Sequence, residues 1–297
     1  MRRVESPAGG SILITRAPMS HSTIAQYGPA ITCATSSTVM PSSNVVWDID
    51  GLVGTLTFNR PHARNALTWD MYEALAETCE LVDRSDLRVL VIRGSGGAFA
   101  AGTDISQFGA FTSGDDGIAY ERRLDEVIDR LERVRKVTMA VVEGPAVGGG
   151  CAIALACDLR LCTPTAKFGI PVARTLGNCL SAANLARLVD LFGTARVKDL
   201  LFTARLIEAE EALALGFATR LVAAAALEGD LPAWTRELSQ RAPSTIEATK
   251  AVLQRIRDHR RPPPMDDVIA KCYGSAEFRE GVAAFLEGRP PAWSRPR

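Results

Sequence analysis

Residues 138–162 read TMAVVEGPAVGGGCAIALACDLRLC. An apolar, β-rich run (138–142) leads into a glycine-rich turn, then a helix of small residues that starts at Gly149, then a second β-rich run (158–162). Upstream lie another apolar run (88–92) and a helical pattern with apolar positions at Leu124, Val127, Ile128, Leu131 and Val134. Strands that alternate with helices in this way predict an α/β core with parallel strands.

The flanks of this core have different patterns. Two β-rich runs, 45–49 and 52–58, are joined by an Asp-Gly pair, which predicts a hairpin. Thr68 is placed to cap a following helix, and past Ser181 nearly every segment has a helical pattern. The last of these predicted helices has Phe278, Val282, Phe285 and Leu286 on one face.

Three parts of the chain follow from these patterns. Residues 1–43 are rich in Ser, Thr, Pro, Ala and Gly without periodicity, which predicts a flexible tail, and Met40 is an alternative start. Residues 44–240 form the predicted core, and 241–297 form a C-terminal helical region. We expect the tail to be dispensable for folding.

Composition excludes several classes of protein. Thirty-four basic residues balance thirty-four acidic ones, so no net field favours nucleic acid or an anionic membrane. No apolar run approaches the ~20 residues that span a bilayer. Three scattered histidines argue against a metal centre or a Ser-His hydrolase. Seven cysteines without paired spacing predict a reduced, cytoplasmic protein.

Two glycine-rich turns, 94–104 and 144–151, each follow a β-rich run. Neither has the GxGxxG pattern of a dinucleotide site or the Gly-Lys-Ser/Thr ending of a P-loop. Two such turns can direct two backbone N–H groups at one oxygen and so stabilise an enolate. The alternative is that both are merely tight strand-to-helix turns.

Five segments in register resemble the crotonase (enoyl-CoA hydratase/isomerase) family. They are Asn59-Arg60-Pro61-x-x-x-Asn65-Ala66-Leu67, Ala98-Phe99-Ala100-Ala101-Gly102-x-Asp104-Ile105, Gly144-x-x-x-Gly148-Gly149-Gly150-Cys151, Ala156-Cys157-Asp158-Leu159-Arg160 and, near the C-terminus, Phe278-Arg279-Glu280-Gly281-Val282 with Arg289-Pro290-Pro291. The resemblance implies a spiral of β-β-α units with a C-terminal helical region, assembled as a homotrimer or homohexamer. It also implies an acyl-CoA substrate and no further cofactor.

The resemblance places the functional residues as well. The oxyanion-hole donors would be the N–H groups of Thr103 and Gly149. The substrate-binding positions would be Ala63, Arg64, Asn65, Ala101, Asp104, Ile105, Gly148, Ala152, Val172 and Arg174. For Asp104, as for Asp158, support of a loop is the alternative role.

The resemblance fails where hydratases carry two glutamates. The first position is Ala152, and the second falls at Val172 or Ala173, in a segment with one extra residue before Gly177. None of these side chains transfers a proton, so the usual hydration mechanism cannot operate and crotonyl-CoA hydration should be very slow.

Other side chains could supply acid–base chemistry. Glu121 and Asp125 lie one helical turn apart, and the alternative for both is a solvated helix face. Polar side chains also occur along the segment that differs from the family pattern, at Arg174, Asn178, Cys179 and Ser181. Because no histidine lies nearby, Cys179 is expected to be a packing residue. Three functions stay open: a thioester-polarising hydratase-type enzyme, an isomerase, hydrolase or decarboxylase using Glu121 or Asp125, and an acyl-CoA-binding protein without turnover.

Overall fold

The computed structural model describes residues 42–293. Its strands are β1 (Val45–Asp50), β2 (Val53–Phe58), β3 (Val89–Gly94), β4 (Val137–Val142), β5 (Pro145–Val147), β6 (Leu159–Cys162), β7 (Lys167–Gly169), β8 (Ile207–Glu208) and β9 (Arg220–Leu221). Its α-helices are α1 (Trp69–Arg84), α2 (Gly114–Glu132), α3 (Gly149–Ala156), α4 (Ala182–Thr203), α5 (Ala209–Ala214), α6 (Leu227–Ser239), α7 (Pro243–Arg260), α8 (Asp266–Tyr273) and α9 (Ala276–Leu286).

The larger sheet has six strands in the order β1-β2-β3-β4-β6-β9. β1 and β2 form the predicted antiparallel hairpin, with Gly51 at φ +57° in its turn. From β2 onward neighbouring strands run parallel. β4 is buried along its whole length, as expected of a parallel strand covered on both faces. The predicted α/β core with parallel strands is confirmed.

Helices cover both faces of this sheet. On one face α1, α2 and α3 bury a large apolar core with side chains such as Leu75, Ile128 and Ile153. On the other face α6 packs Leu231 and Trp234 against strand residues that include Val91. Two layers of helix therefore remove the apolar strands from water.

A second sheet has the strand order β5-β7-β8. Its first strand, β5, lies where the sequence suggested only a turn. The three residues of β5 pair with β7 and also hold the first glycine-rich turn. The N–H groups of Phe99 and Ala100 donate to the carbonyl of Pro145 at 3.0 and 3.1 Å, and the N–H of Val147 donates to Ala100 at 2.9 Å. These bonds join the two glycine-rich turns directly.

The C-terminal part is helical, as predicted, with α8 and α9 packed on α2 and on the 3-10 helix Ile105–Ala110. In α9 only part of the predicted face is covered: Phe278 and Val282 are buried, whereas Phe285 and Leu286 are mostly exposed. α4 is broken at Gly193, which has φ +72°. No helix within residues 42–293 is long and apolar enough to cross a membrane.

Two predictions concern the N-terminal part of the chain, namely the tail and the cap at Thr68. Residues 1–41, including Met40, and 294–297 lie outside the described part, so the tail stays a prediction. Ser42 is buried and its hydroxyl donates to Asp70 at 2.7 Å. Helix α1 begins after Thr68 as predicted, but the Thr68 hydroxyl bonds to the Asp70 carboxylate and not to a backbone N–H.

Candidate active site

A cavity of about 690 Å³, which we call the main cavity, opens between the two glycine-rich turns, α2 and the segment after β7. Its wall contains most of the residues singled out in the sequence, namely Ala63, Arg64, Ala101, Thr103, Asp104, Ile105, Glu121, Gly148, Gly149, Ala152 and Val172. The other three, Asn65, Asp125 and Arg174, are not part of that wall. Its size suits a small-molecule ligand.

Thr103 and Gly149 lie in the wall on adjoining turns. Gly149 is the first residue of α3 and follows Gly148, whose φ of +54° is readily reached only without a side chain. Among residues 42–293, no acceptor is found for the N–H group of either Thr103 or Gly149. A helix N-terminus leaves its first N–H groups open and favours negative charge, so both groups can serve an oxygen in the cavity.

Three hydroxyl groups form a chain behind these two donors. The Thr103 hydroxyl lies 2.9 Å from that of Tyr72 and 2.7 Å from that of Tyr120. A Cβ on residue 149 would stand 2.0 Å from the Tyr72 hydroxyl oxygen, so this position requires glycine. Burial raises the pKa of both tyrosines, which keeps them protonated. Sequence reasoning missed this chain, since Tyr72 and Tyr120 read only as positions on helices.

The entrance of the cavity is shaped by the turn before α1. Arg64 and Asn65 have φ values of +49° and +55°. The buried amide of Asn65 accepts from the N–H of Arg60 and donates to two carbonyls of the first glycine-rich turn, each at 2.8 Å. Arg60 also bonds Asp104 at 2.6 Å. Asn65 thus holds the loop in place, while Arg64 is exposed at the rim and enters no ion pair within residues 42–293.

The two positions where the resemblance predicts glutamates in hydratases carry apolar side chains in the cavity wall. Ala152, which is buried, and Val172, which is half-buried, both line the cavity. Arg174 is exposed and is not part of the cavity wall, so its predicted substrate contact stays a prediction. Cys179 lines the wall beside Asn178.

Glu121 is the carboxylic acid that the fold brings to this cavity from α2. It is 3% exposed, so the alternative of a solvated helix face is wrong for this residue. Its Oε1 accepts from the Tyr273 hydroxyl at 2.5 Å, and its Oε2 accepts from the Ser181 N–H at 2.9 Å. Burial raises the pKa of Glu121 to about 7, against the effect of both hydrogen bonds. A carboxyl of this pKa can both take and return a proton near neutral pH.

Asp125 faces away from the main cavity. Its Oδ1 accepts from the Ser181 hydroxyl at 2.8 Å and from the Asn184 amide at 3.1 Å. Arg187 lies 3.7 Å from the same oxygen and also pairs with Asp129. Burial raises the pKa of Asp125 as well. Of the two candidates, the structure places Glu121 alone beside the substrate space.

Known proteins resemble this chain over most of its length. A family model described as Enoyl-CoA hydratase/isomerase matches residues 48–296. The probable enoyl-CoA hydratase echA8 of Mycobacterium tuberculosis is 32% identical over 259 residues, which cover 86% of this chain and 99% of that protein. The short-chain-enoyl-CoA hydratase of Clostridium acetobutylicum is 29% identical, with coverages of 84% and 97%.

Solved structures show the same architecture. A methylmalonyl-CoA decarboxylase in complex with 2-nitronate-propionyl-CoA superposes with a TM-score of 0.76 at 27% identity, covering 84% of this chain and 98% of that chain. An enoyl-CoA hydratase/carnithine racemase from Magnetospirillum magneticum has a TM-score of 0.70 at 28% identity, with coverages of 85% and 96%.

Proposed function

The chain belongs to the enoyl-CoA hydratase/isomerase family, and on that premise we propose that it moves a proton within an acyl-CoA, as a double-bond isomerase does, with Glu121 as the acid–base group. Membership also confirms the predicted crotonase-like α/β fold with its C-terminal helical region. Processing of an acyl-CoA is supported by the same likenesses.

Thioester polarisation is the first part of the proposal. The N–H groups of Thr103 and Gly149 would donate to the thioester oxygen, where negative charge develops when the α-carbon loses a proton. Each such backbone donor typically contributes roughly 10²- to 10³-fold in rate. The bonds between the two turns support this role, because they hold both donors on one rigid unit.

The choice of reaction depends on one observation, the number of carboxylates in the wall. Among the described residues, two carboxylates line the main cavity, those of Asp104 and Glu121. Asp104 forms an ion pair with Arg60 at the rim. Hydration in this family uses two carboxylates, one to activate water and one to protonate carbon. Isomerisation needs one group that removes a proton from one carbon and returns it to another. Glu121 alone satisfies that requirement.

With a 3-enoyl-CoA as substrate, every proton and electron pair in the proposed reaction is accounted for. Ionised Glu121 takes a proton from the α-carbon, and the electron pair of that C–H bond moves toward the thioester oxygen. The pair then returns to form the α–β double bond, while the former β–γ double bond takes the proton from Glu121 at the γ-carbon. No water is consumed, and backbone N–H groups with one carboxylate suffice without a further cofactor.

The proposal has three further parts, which concern a phosphate contact, the compartment and the assembly. Arg64, exposed at the rim, supplies a cation for a CoA phosphate. The protein would act in the cytoplasm, as the absence of paired cysteine spacing in the sequence suggests. It would act as a homotrimer or homohexamer, consistent with exposed apolar side chains such as Phe202 and Leu253.

Conversion of a 3-enoyl-CoA to its 2-enoyl isomer tests the proposal directly. We expect turnover by the wild type and a loss of about 10²- to 10⁴-fold in kcat for Glu121→Gln, since one proton-transfer group is removed. Glu77→Gln, an exposed position on α1 outside the wall of the main cavity, is the matched control and should retain activity. Tight thioester binding with no isomerisation by the wild type would instead identify a binding protein.

A further inference from the structure

A second cavity of about 360 Å³ lies on the other side of Glu121. Its wall is formed by α2, the start of α4 and the segment that leads into α8, and it includes Asp125, Asp129, Ser181, Ala183, Arg261 and Met265. Among residues 42–293, Glu121 is the one residue that appears in the walls of both cavities. It therefore lies between the two spaces.

The two carboxyl oxygens of Glu121 accept hydrogen bonds from two networks, one that leads to each cavity wall. Oε1 accepts from Tyr273, whose hydroxyl also accepts from the amide of Asn178, a residue of the main cavity wall. Oε2 accepts from the N–H of Ser181, a residue of the second cavity wall. One oxygen is thus connected to the substrate side and the other to the opposite side.

Asp125 continues the polar path on the second side. The Ser181 hydroxyl donates to Asp125 while the Ser181 N–H donates to Glu121, so one residue holds both carboxylates. Asp129, one turn further along α2, lies in the same wall and pairs with Arg261 at 2.6 Å. Carboxylates at successive turns of one helix line the way outward.

A bound substrate creates the need for such a path. In the proposed function an acyl-CoA would occupy the main cavity, and it would then keep water from Glu121 on that side. The second cavity, of about 360 Å³, is large enough for several water molecules, and Asp125, Asp129 and Ser181 in its wall offer some of the two to four polar partners that each water needs. Water there can reach the outer face of the carboxyl group during turnover.

We propose that Glu121 exchanges its proton with solvent through the second cavity, by way of water and Asp125, while substrate occupies the main cavity. Protonated Glu121 gives its proton to a water molecule, which passes a proton to Asp125 or to bulk water, and a solvent proton returns by the same route. No electron is transferred. Asp125 is a positioning residue in this scheme, and the inference rests on the proposed function of Glu121.

Deuterium incorporation during isomerisation provides the test. The full chain converts an ordinary 3-enoyl-CoA in deuterium oxide, and mass spectrometry measures the deuterium content of the 2-enoyl product formed early in the reaction. A proton carried directly from α- to γ-carbon leaves no deuterium, whereas exchange at Glu121 introduces it. We expect most wild-type product to carry deuterium.

Two variants block the route in different ways. Asp125→Asn removes the relay, and Ala183→Met narrows the second cavity without a change of charge and with a good helix former. A positioned proton-transfer group contributes roughly 10²-fold or more in rate. We therefore expect each variant to lower the ratio of two rates, proton exchange between Glu121 and solvent over direct proton return to the γ-carbon, by at least about tenfold. Asp267→Asn, exposed and outside both walls, is the matched control and should match the wild type.

The outcomes separate the two proposals. Wild-type product without deuterium, or a deuterium content that neither variant lowers, would overturn the second-cavity route and leave the isomerase intact. A wild type that does not isomerise at all would overturn the function of Glu121 and this inference with it. Reduced deuterium in either folded variant, with the control unchanged, supports the route.

Discussion

Glu121→Gln should make the protein more stable at pH 8 while it abolishes proton transfer. The wild-type carboxyl is buried, and its folded-state pKa of about 7 compares with an ordinary value of 4.5. Ionising it therefore costs free energy in the folded state that is not needed in the unfolded chain. A neutral amide avoids that cost.

The pKa difference sets the magnitude and the pH window. The folded state binds this proton more tightly than the unfolded state, so below pH 4.5 the carboxyl is neutral in both and no ionisation penalty applies. The penalty grows as the pH rises from about 4.5 to about 7, and above that it is constant. A change from 4.5 to about 7 corresponds to roughly 3 kcal/mol.

Glutamine can keep the two hydrogen bonds of the carboxylate. Its amide oxygen can accept from the Ser181 N–H, and its NH2 group can donate to the Tyr273 hydroxyl, which also has acceptor capacity. The Tyr273 hydroxyl would then accept from both the glutamine and Asn178, so its own hydrogen loses the acceptor that it has in the wild type. That loss does not depend on pH, so the pH-dependent part of the difference in the free energy of unfolding is the ionisation cost.

Urea unfolding at one protein concentration, at pH 5 and at pH 8, measures this effect. We expect the Gln variant to gain up to about 3 kcal/mol over the wild type at pH 8 and much less at pH 5. Exposed Glu126→Gln should show no such pH-dependent gain. A stability difference between the variant and the wild type that stays the same at both pH values would refute the reasoning from burial.

Other predictions concern the oxyanion turns, the missing glutamates and assembly. Gly149→Ala should lower kcat/KM by about 10²-fold or more by displacing a donor, because its Cβ would stand 2.0 Å from the Tyr72 hydroxyl. A second substitution in the same protein, Tyr72→Phe, should restore part of the lost activity. It removes the clashing hydroxyl, and the next atoms that the new Cβ meets lie 3.3 Å away. Wild-type hydration of crotonyl-CoA should be very slow, and Ala152→Glu should raise it measurably by returning a carboxylate to the cavity wall. Light scattering at micromolar concentration should give a trimer or hexamer mass, and a monomer mass would contradict it.

The sequence predicted those elements whose signals are local. The hairpin at Asp50-Gly51, the apolar runs that became β3 and β4, and the helix from Gly149 follow from turn chemistry and periodicity. β5 was missed because its three residues, Pro145–Val147, stand between glycines and carry no periodic signal, and because its pairing partner β7 belongs to a later segment of the chain. Short strands of this kind form only when another segment supplies the hydrogen bonds.

By itself the sequence determined the apolar pattern of the core, the two glycine-rich turns and the absence of acid–base groups at Ala152 and Val172, because each depends on residue type at a known spacing. Tertiary structure alone decided which of the two candidate carboxylates lies in the wall of the main cavity. Glu121 and Asp125 share one helix and one pattern, yet packing against α4 and α8 buries the first beside the main cavity and turns the second toward Arg187. Burial and hydrogen-bond partners come from segments distant in sequence, and these set both the pKa of Glu121 and its access to substrate.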